Sequence, residues 1–333
     1  MEQILTFDEI KKCVLGAERV WEENGTLRMC RFTEAEQETY RRNPDFFQKT
    51  FSSSNMRISF FTDAEKLLMA YETVKGSSRN FAFLDVNVDD ILVAHSGTED
   101  INSCSEYVLE VRLPGKKCRV EIFLPPLAGV VLRELRLENG AFLGEAARQK
   151  LIISYGDSIT QGYDARYPVC SYTALLAESL QAELVNKAIG GDIFNPALAR
   201  AGKMSRTPDL VTAAYGTNDW SVCCREDIFR NCEDFFAALK ELYQEIPLVV
   251  LLPIWRKDNE RETRAGNFFE VRSGIQRIAE TFPRTYVIDG LLLTPRLEEF
   301  FSDRYLHPND HGFMFMGHRL AEEIRKVLPY LWE

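Results

Sequence analysis

The grammar of this 333-residue chain changes near Ala147, and that change limits the fold more than any other feature. Downstream, short apolar runs at 151–155, 184–186, 210–215, 248–252 and 286–288 alternate with helical stretches at about 171–181, 226–244, 270–282 and 312–328. Runs such as Leu151-Ile152-Ile153 are apolar at consecutive positions, which suits a strand covered on both faces. The stretches between them are long enough for right-handed crossovers between parallel strands. The pattern predicts an α/β domain over residues 148–333, built on a doubly wound, flavodoxin-like sheet of five parallel strands.

Upstream, from Arg57 to Leu137, β-prone runs are separated by turn residues. Phe81 to Val88, the turn Asp89-Asp90 and Ile91 to Ala94 read as a hairpin, and further runs at 107–113, 119–124 and 130–137 are punctuated by Pro114-Gly115 and Pro125-Pro126. Many short strands with few helices predict a β-sandwich, jelly-roll-like, over residues 1–147. The boundary is expected within 139–150. In the first 50 residues Glu34 to Tyr40 reads as a helix, while the aromatic-rich remainder reads as an edge strand or a loop over the sandwich.

Net charge removes several classes of partner. At a formal −10, with no dense block of Lys and Arg, the chain has no general attraction for nucleic acid or an anionic membrane. The start, Met1 to Glu9, carries neither a basic segment nor an apolar core of a leader, so a cytoplasmic location is expected. The eight cysteines, Cys104 among them, form no Cys-x-x-Cys pair and are expected as reduced thiols in that compartment.

In open α/β sheets ligands bind beyond the carboxyl ends of the strands, so the residues following each run are the candidates for chemistry. After the first strand comes Gly156-Asp157-Ser158, after the second Gly190-Gly191-Asp192, after the third Gly216-Thr217-Asn218-Asp219-Trp220, and late in the chain Asp303-Arg304-Tyr305-Leu306-His307-Pro308-Asn309. A serine hydroxyl is a poor nucleophile until an imidazole takes its proton, and His307 is the candidate base.

These four ordered blocks resemble those of the SGNH/GDSL hydrolases, and the resemblance spans about Leu151 to the C-terminus. It implies a sheet of the SGNH-hydrolase type, Ser158 as nucleophile, His307 as base, and an oxyanion hole made by the backbone N–H groups of Ser158 and Gly191 with the side-chain amide of Asn218. The family's acid usually stands three residues before the histidine, where this chain has Arg304. Asp303, four before, is the expected third member, with a Ser-His dyad as the alternative.

Asp157, Tyr163, Asp219, Trp220, Trp255 and Arg256 flank these blocks and are expected to wall the substrate pocket, since indole faces pack on sugar rings and charged groups bind hydroxyls. His307 and His311 share a His-x-x-x-His spacing, but Pro308 interrupts a helix there, so no metal and no cofactor are expected. His311 and His318 read as helix residues and His95 as structural. A strand-rich N-terminal domain before an SGNH-like domain is similar to two-domain carbohydrate esterases. That implies hydrolysis of small acyl esters, acetyl groups on sugars or oligosaccharides first. The alternatives are a short-chain acyl esterase or thioesterase on non-sugar substrates and a non-catalytic carbohydrate-binding protein. Nothing in the sequence speaks to oligomeric state.

Overall fold

The structure, a computed structural model, describes residues 2–103, 106–202 and 205–332; Cys104 lies outside them. The N-terminal half holds two antiparallel sheets. One runs β3 (Arg19–Glu23), β4 (Thr26–Cys30), β11 (Ala128–Glu138), β6 (Lys66–Lys75), β9 (Glu106–Arg112), with β1 (Glu2–Ile4) also on β11. The other runs β12 (Phe142–Glu145), β5 (Arg57–Thr62), β10 (Cys118–Phe123), β7 (Ala82–Val88), β8 (Ile91–Thr98), with β2 (Val14–Leu15) also on β5. Alternating inward residues such as Leu67, Met69, Tyr71, Val120 and Ile122 fill one core between the sheets.

The five apolar runs of the second half form one parallel sheet in the order β14 (Ala182–Asn186), β13 (Lys150–Gly156), β15 (Leu210–Ala214), β16 (Leu248–Leu251), β17 (Thr285–Ile288). That order, second strand outside the first, is flavodoxin-like and puts the switch point between β13 and its neighbours. Short helices α4 (Ser158–Gln161), α5 (Tyr172–Ser179), α6 (Pro196–Ala201) and α7 (Thr217–Val222) join the longer α8 (Arg225–Leu242), α9 (Phe268–Ala279) and α10 (Asp310–Val327) on the two faces. α6, in a connection where no element is expected from sequence, is too short to show a helical period. Among the described residues no helix is long and apolar enough to cross a membrane. The seven described cysteines are unpaired.

The first 50 residues differ most from expectation. They hold β1 to β4 and three helices, α1 (Phe7–Cys13), α2 (Glu34–Thr39) and α3 (Pro44–Lys49), rather than one helix with an edge strand or a loop. Nor do they all serve the sandwich, because Cys30, Phe32 and Tyr40 join the core on one face of the parallel sheet. The segment expected as a linker also contributes β12, which pairs with β5, so the strand-free link shrinks to residues 146–149.

Residues 31–50 grip the loop that follows β14. Arg31, fully buried, donates to the carbonyls of Asn186 (2.5 Å) and Ala188 (2.7 Å) as well as to Ser52. Lys49 Nζ donates to Gly190 O at 2.8 Å. Lys187 meets Glu36 at 2.5 Å with both side chains at 0 % exposure, and the same Glu36 oxygen accepts from Thr33 N in the capping box of α2.

A buried ion pair deprived of one partner leaves an uncompensated charge. Lys187→Met should therefore lower unfolding free energy by roughly 3–5 kcal/mol, and adding Glu36→Gln, which keeps the oxygen that caps α2, should recover part of that loss. Urea unfolding of the two variants checks both.

Candidate active site

β13 ends at Gly156, and Asp157 caps the next helix by accepting from Ile159 N at 2.9 Å. A side chain at Gly156 would lie 2.2 Å from Thr160 Oγ1, so the strand can turn this tightly only with glycine there. Ser158 is thus the first helical residue beyond the strand's carboxyl end, 4 % exposed. Its Oγ lies 2.9 Å from His307 Nε2, across 149 residues of sequence.

His307 sits in the loop before α10, which begins only at Asp310, so His307 and His311 do not share one helical face. Behind the ring, Nδ1 lies 2.8 Å from Asp303 Oδ2. Arg304 takes φ +55, and this left-handed residue curls the loop so that Asp303 Oδ1 accepts the backbone N–H of Tyr305 (2.8 Å), Leu306 (2.7 Å) and His307 (3.2 Å). Burial pushes the Asp303 carboxyl up, but the hydrogen bonds from the His307 ring and these N–H groups outweigh it and hold the group well below the usual carboxylate range. It stays ionised behind the imidazole.

Gly191 has φ +91, a conformation that favours glycine, and a methyl group on it would sit 3.5 Å from Phe46 Cε1. Asn218 is the second residue of α7, and its Nδ2 donates to the Asp192 carbonyl at 2.9 Å. Among the described residues no hydrogen bond ties up the backbone N–H of Ser158 or of Gly191. Ser158, Gly191 and Asn218 thus follow the carboxyl ends of the neighbouring strands β13, β14 and β15, and His307 reaches Ser158 from the loop before α10.

The residues expected to wall the pocket have a different fate. Trp220 is at 0 % exposure, donating from Nε1 to Gly266 O and packed edge-on against Phe268. Asp219 is equally buried, and its two oxygens accept from Phe194 N and Gly216 N at 3.0 Å each. Arg256, 3 % exposed, lies over the Trp220 ring and donates to Thr217 O, Ser221 Oγ and Asp258, which braces α7 from behind. Asp157 is used as a cap. These four hold the turns around the motif blocks, because a polar group at a buried turn must first satisfy the backbone around it. Trp255 is half-buried against Phe301. Tyr163, 4 % exposed, stacks on the His307 ring at 5.6 Å.

Residues that the motifs do not mark complete the surroundings, and they come from the N-terminal half. Arg79 lies over Tyr163 at 5.4 Å and forms a two-point pair with Asp164, at 2.7 and 3.1 Å. Asp164 also accepts from Ser302 Oγ at 2.7 Å, and Ser302 N donates to His307 O at 2.8 Å, so this chain of contacts steadies the histidine loop. On the other side stand Phe46 and Tyr40, the latter donating to Asp192 Oδ2 at 2.6 Å. Only the aromatic richness of residues 31–51 hinted at them.

With this geometry, residues 154–314 match the model of the GDSL-like lipase/acylhydrolase family. The matched stretch contains Ser158, Gly191, Asn218 and His307. Carboxylic ester hydrolysis is the activity class that this match supports. No curated protein matches it by sequence. Among solved structures, a salicylyl-acyltransferase from a tetracycline biosynthetic pathway is similar over 96 % of both chains, with a TM-score of 0.82 and 23 % identity. A family two carbohydrate esterase from Cellvibrio japonicus is similar over 99 % of both (TM-score 0.69, 17 % identity). An acetyl xylan esterase from Butyrivibrio proteoclasticus is similar over the full length of both (TM-score 0.65, 14 % identity). At such identities the likeness shows the fold, and here it includes the strand-rich N-terminal half.

Burial raises three motif carboxyls above their ordinary 3.8: Asp157 to about 6, Asp192 to about 7 and Asp219 to about 7. A carboxyl whose folded value is raised binds its proton more tightly folded than unfolded. These three therefore contribute stability that is lost as pH rises from about 4 through 7, while Asp303, depressed, contributes in the opposite direction as pH rises through the acid range. Thermal melts from pH 4 to 8 should show a shallower decline for Asp192→Asn than for the parental protein.

Proposed function

We propose that this chain is a serine esterase that hydrolyses small acyl esters, acetyl groups on sugars or oligosaccharides first, through an acyl-enzyme. The observation that carries the reading is the alignment of Ser158 Oγ, His307 and the ionised Asp303 at 2.9 and 2.8 Å. In the first step His307 Nε2 takes the Ser158 proton as Oγ attacks the ester carbonyl, and Asp303 stabilises the imidazolium. Negative charge then develops on the carbonyl oxygen, where the N–H groups of Ser158 and Gly191 and the amide of Asn218 are its donors. His307 returns the proton to the departing sugar oxygen, which leaves as a hydroxyl, and water repeats the sequence to release acetate.

The sugar assignment is supported by the full-length likeness to carbohydrate esterases, one of which, from Clostridium thermocellum, was solved with cellohexaose. A second reading, transfer of the acyl group to an alcohol other than water, is favoured by the likeness to the salicylyl-acyltransferase. A non-catalytic carbohydrate-binding role leaves the Ser-His-Asp alignment without a purpose.

Ser158→Ala and His307→Ala should each lower turnover of p-nitrophenyl acetate by roughly 10³-fold or more while keeping the parental melting temperature within a few degrees. Asp303→Asn should lose on the order of 10²–10⁴-fold, because an amide N–H facing Nδ1 forces the tautomer whose Nε2 already carries a proton. Activity should show an acid limb, since an imidazolium cannot accept the serine proton; a flat profile at low pH would remove His307 as base. A fluorophosphonate should label Ser158 in the folded protein, as read by peptide mass mapping. Acetate release from a panel of acetylated mono- and oligosaccharides, with and without added alcohol acceptors, separates hydrolysis from transfer and identifies the leaving group.

A further inference from the structure

Asp192 connects two donors of the oxyanion hole to the N-terminal half of the chain. It directly follows Gly191, and its backbone carbonyl accepts from Asn218 Nδ2 at 2.9 Å. That bond uses one amide hydrogen of Asn218 and so sets the plane in which the other is presented. The Asp192 carboxyl, 3 % exposed, accepts the hydroxyl of Tyr40 at 2.6 Å, and this bond spans 152 residues of sequence. Tyr40 is itself 3 % exposed, its ring edge-on to Phe32 and Phe46 at 6.1 Å each. The two neighbouring contacts reinforce the same turn: Lys49 Nζ holds Gly190 O at 2.8 Å, and the Phe46 ring lies against Gly191.

We propose that Tyr40 is a positioning residue for the oxyanion hole, fixing the Gly191–Asp192 turn and, through Asp192, the amide of Asn218. Tyr40 acts through Asp192, with no contact to the reacting atoms required of it. The proposal rests on the serine-esterase reading above. Donors a few tenths of an ångström out of place lose little in the ground state and much in the transition state, where the oxygen carries its charge. Tyr40→Phe deletes the hydroxyl alone and leaves the ring packing in place.

The test compares parental enzyme and Tyr40→Phe in p-nitrophenyl acetate turnover and in inhibition by phenylboronic acid. That inhibitor becomes a tetrahedral adduct when Ser158 Oγ donates an electron pair to boron, the hydroxyl proton passing to His307. Measurements are made at a temperature where the near-ultraviolet circular dichroism of the two proteins coincides. A positioning role predicts that kcat falls about tenfold, KM changes less than about threefold, and the boronate inhibition constant rises about tenfold in parallel. Lys49→Met, on the same turn, should move kcat and the boronate constant in the same direction by about threefold, which keeps the test decisive if Tyr40→Phe is too unstable to assay. Kinetic and boronate constants within twofold of parental, whatever happens to the melting temperature, would overturn the positioning role while leaving the esterase reading intact. A parental protein with no turnover and no fluorophosphonate adduct on Ser158 would overturn both.

Discussion

A loop that leaves a strand at a sheet's switch point carries backbone carbonyls that the sheet cannot satisfy, and in this protein that constraint organises both halves of the chain. The loop after β14 turns its carbonyls at Asn186, Ala188 and Gly190 away from the sheet, and Arg31 and Lys49 answer them from the N-terminal half. Burying a guanidinium is costly, as the lowering of Arg31 to about 10 by desolvation shows, and it is tolerated because its donors find carbonyl and hydroxyl acceptors. The Lys187–Glu36 pair closes the same contact with no exposed atom. The N-terminal half is therefore built into the site rather than appended to it.

The aspartates of the motifs follow the same logic. Asp157, Asp192 and Asp219 stand beside Ser158, Gly191 and Asn218, and each points inward to hold backbone or a buried hydroxyl. Their raised values record the cost of keeping three carboxyls in one buried neighbourhood, a cost offset by the hydrogen bonds each accepts. The aligned pair of Ser158 and His307 stands on this buried frame. Preorganised donors require rigid support, because reorganising them during the reaction would consume the stabilisation they provide.

Much of this was legible from one dimension because its causes are local. Consecutive apolar residues announce a doubly covered strand, so the five runs match the observed β13 to β17 with end shifts of one or two residues. Glycine beside a motif residue announces a turn. The acid behind His307 was harder to read, since spacing alone leaves Asp303 one position off the usual pattern. The left-handed Arg304 absorbs that extra residue, and left-handed conformations in non-glycine residues leave little trace in sequence. The bracing contacts of Trp220, Asp219 and Arg256 are hidden for a related reason: a polar or aromatic residue next to a motif looks the same in sequence whether it faces substrate or braces the turn.

By itself the sequence determined the α/β class, the strand-rich character of the first half, and the four blocks whose residue types suit nucleophilic acyl chemistry, because periodicity and turn chemistry are set by near neighbours. Only the tertiary structure decided what surrounds those blocks. Tyr40, Phe46 and Arg79 lie more than eighty residues from the groups they touch, and contacts over such separations are made by packing two cores together, which no local pattern encodes.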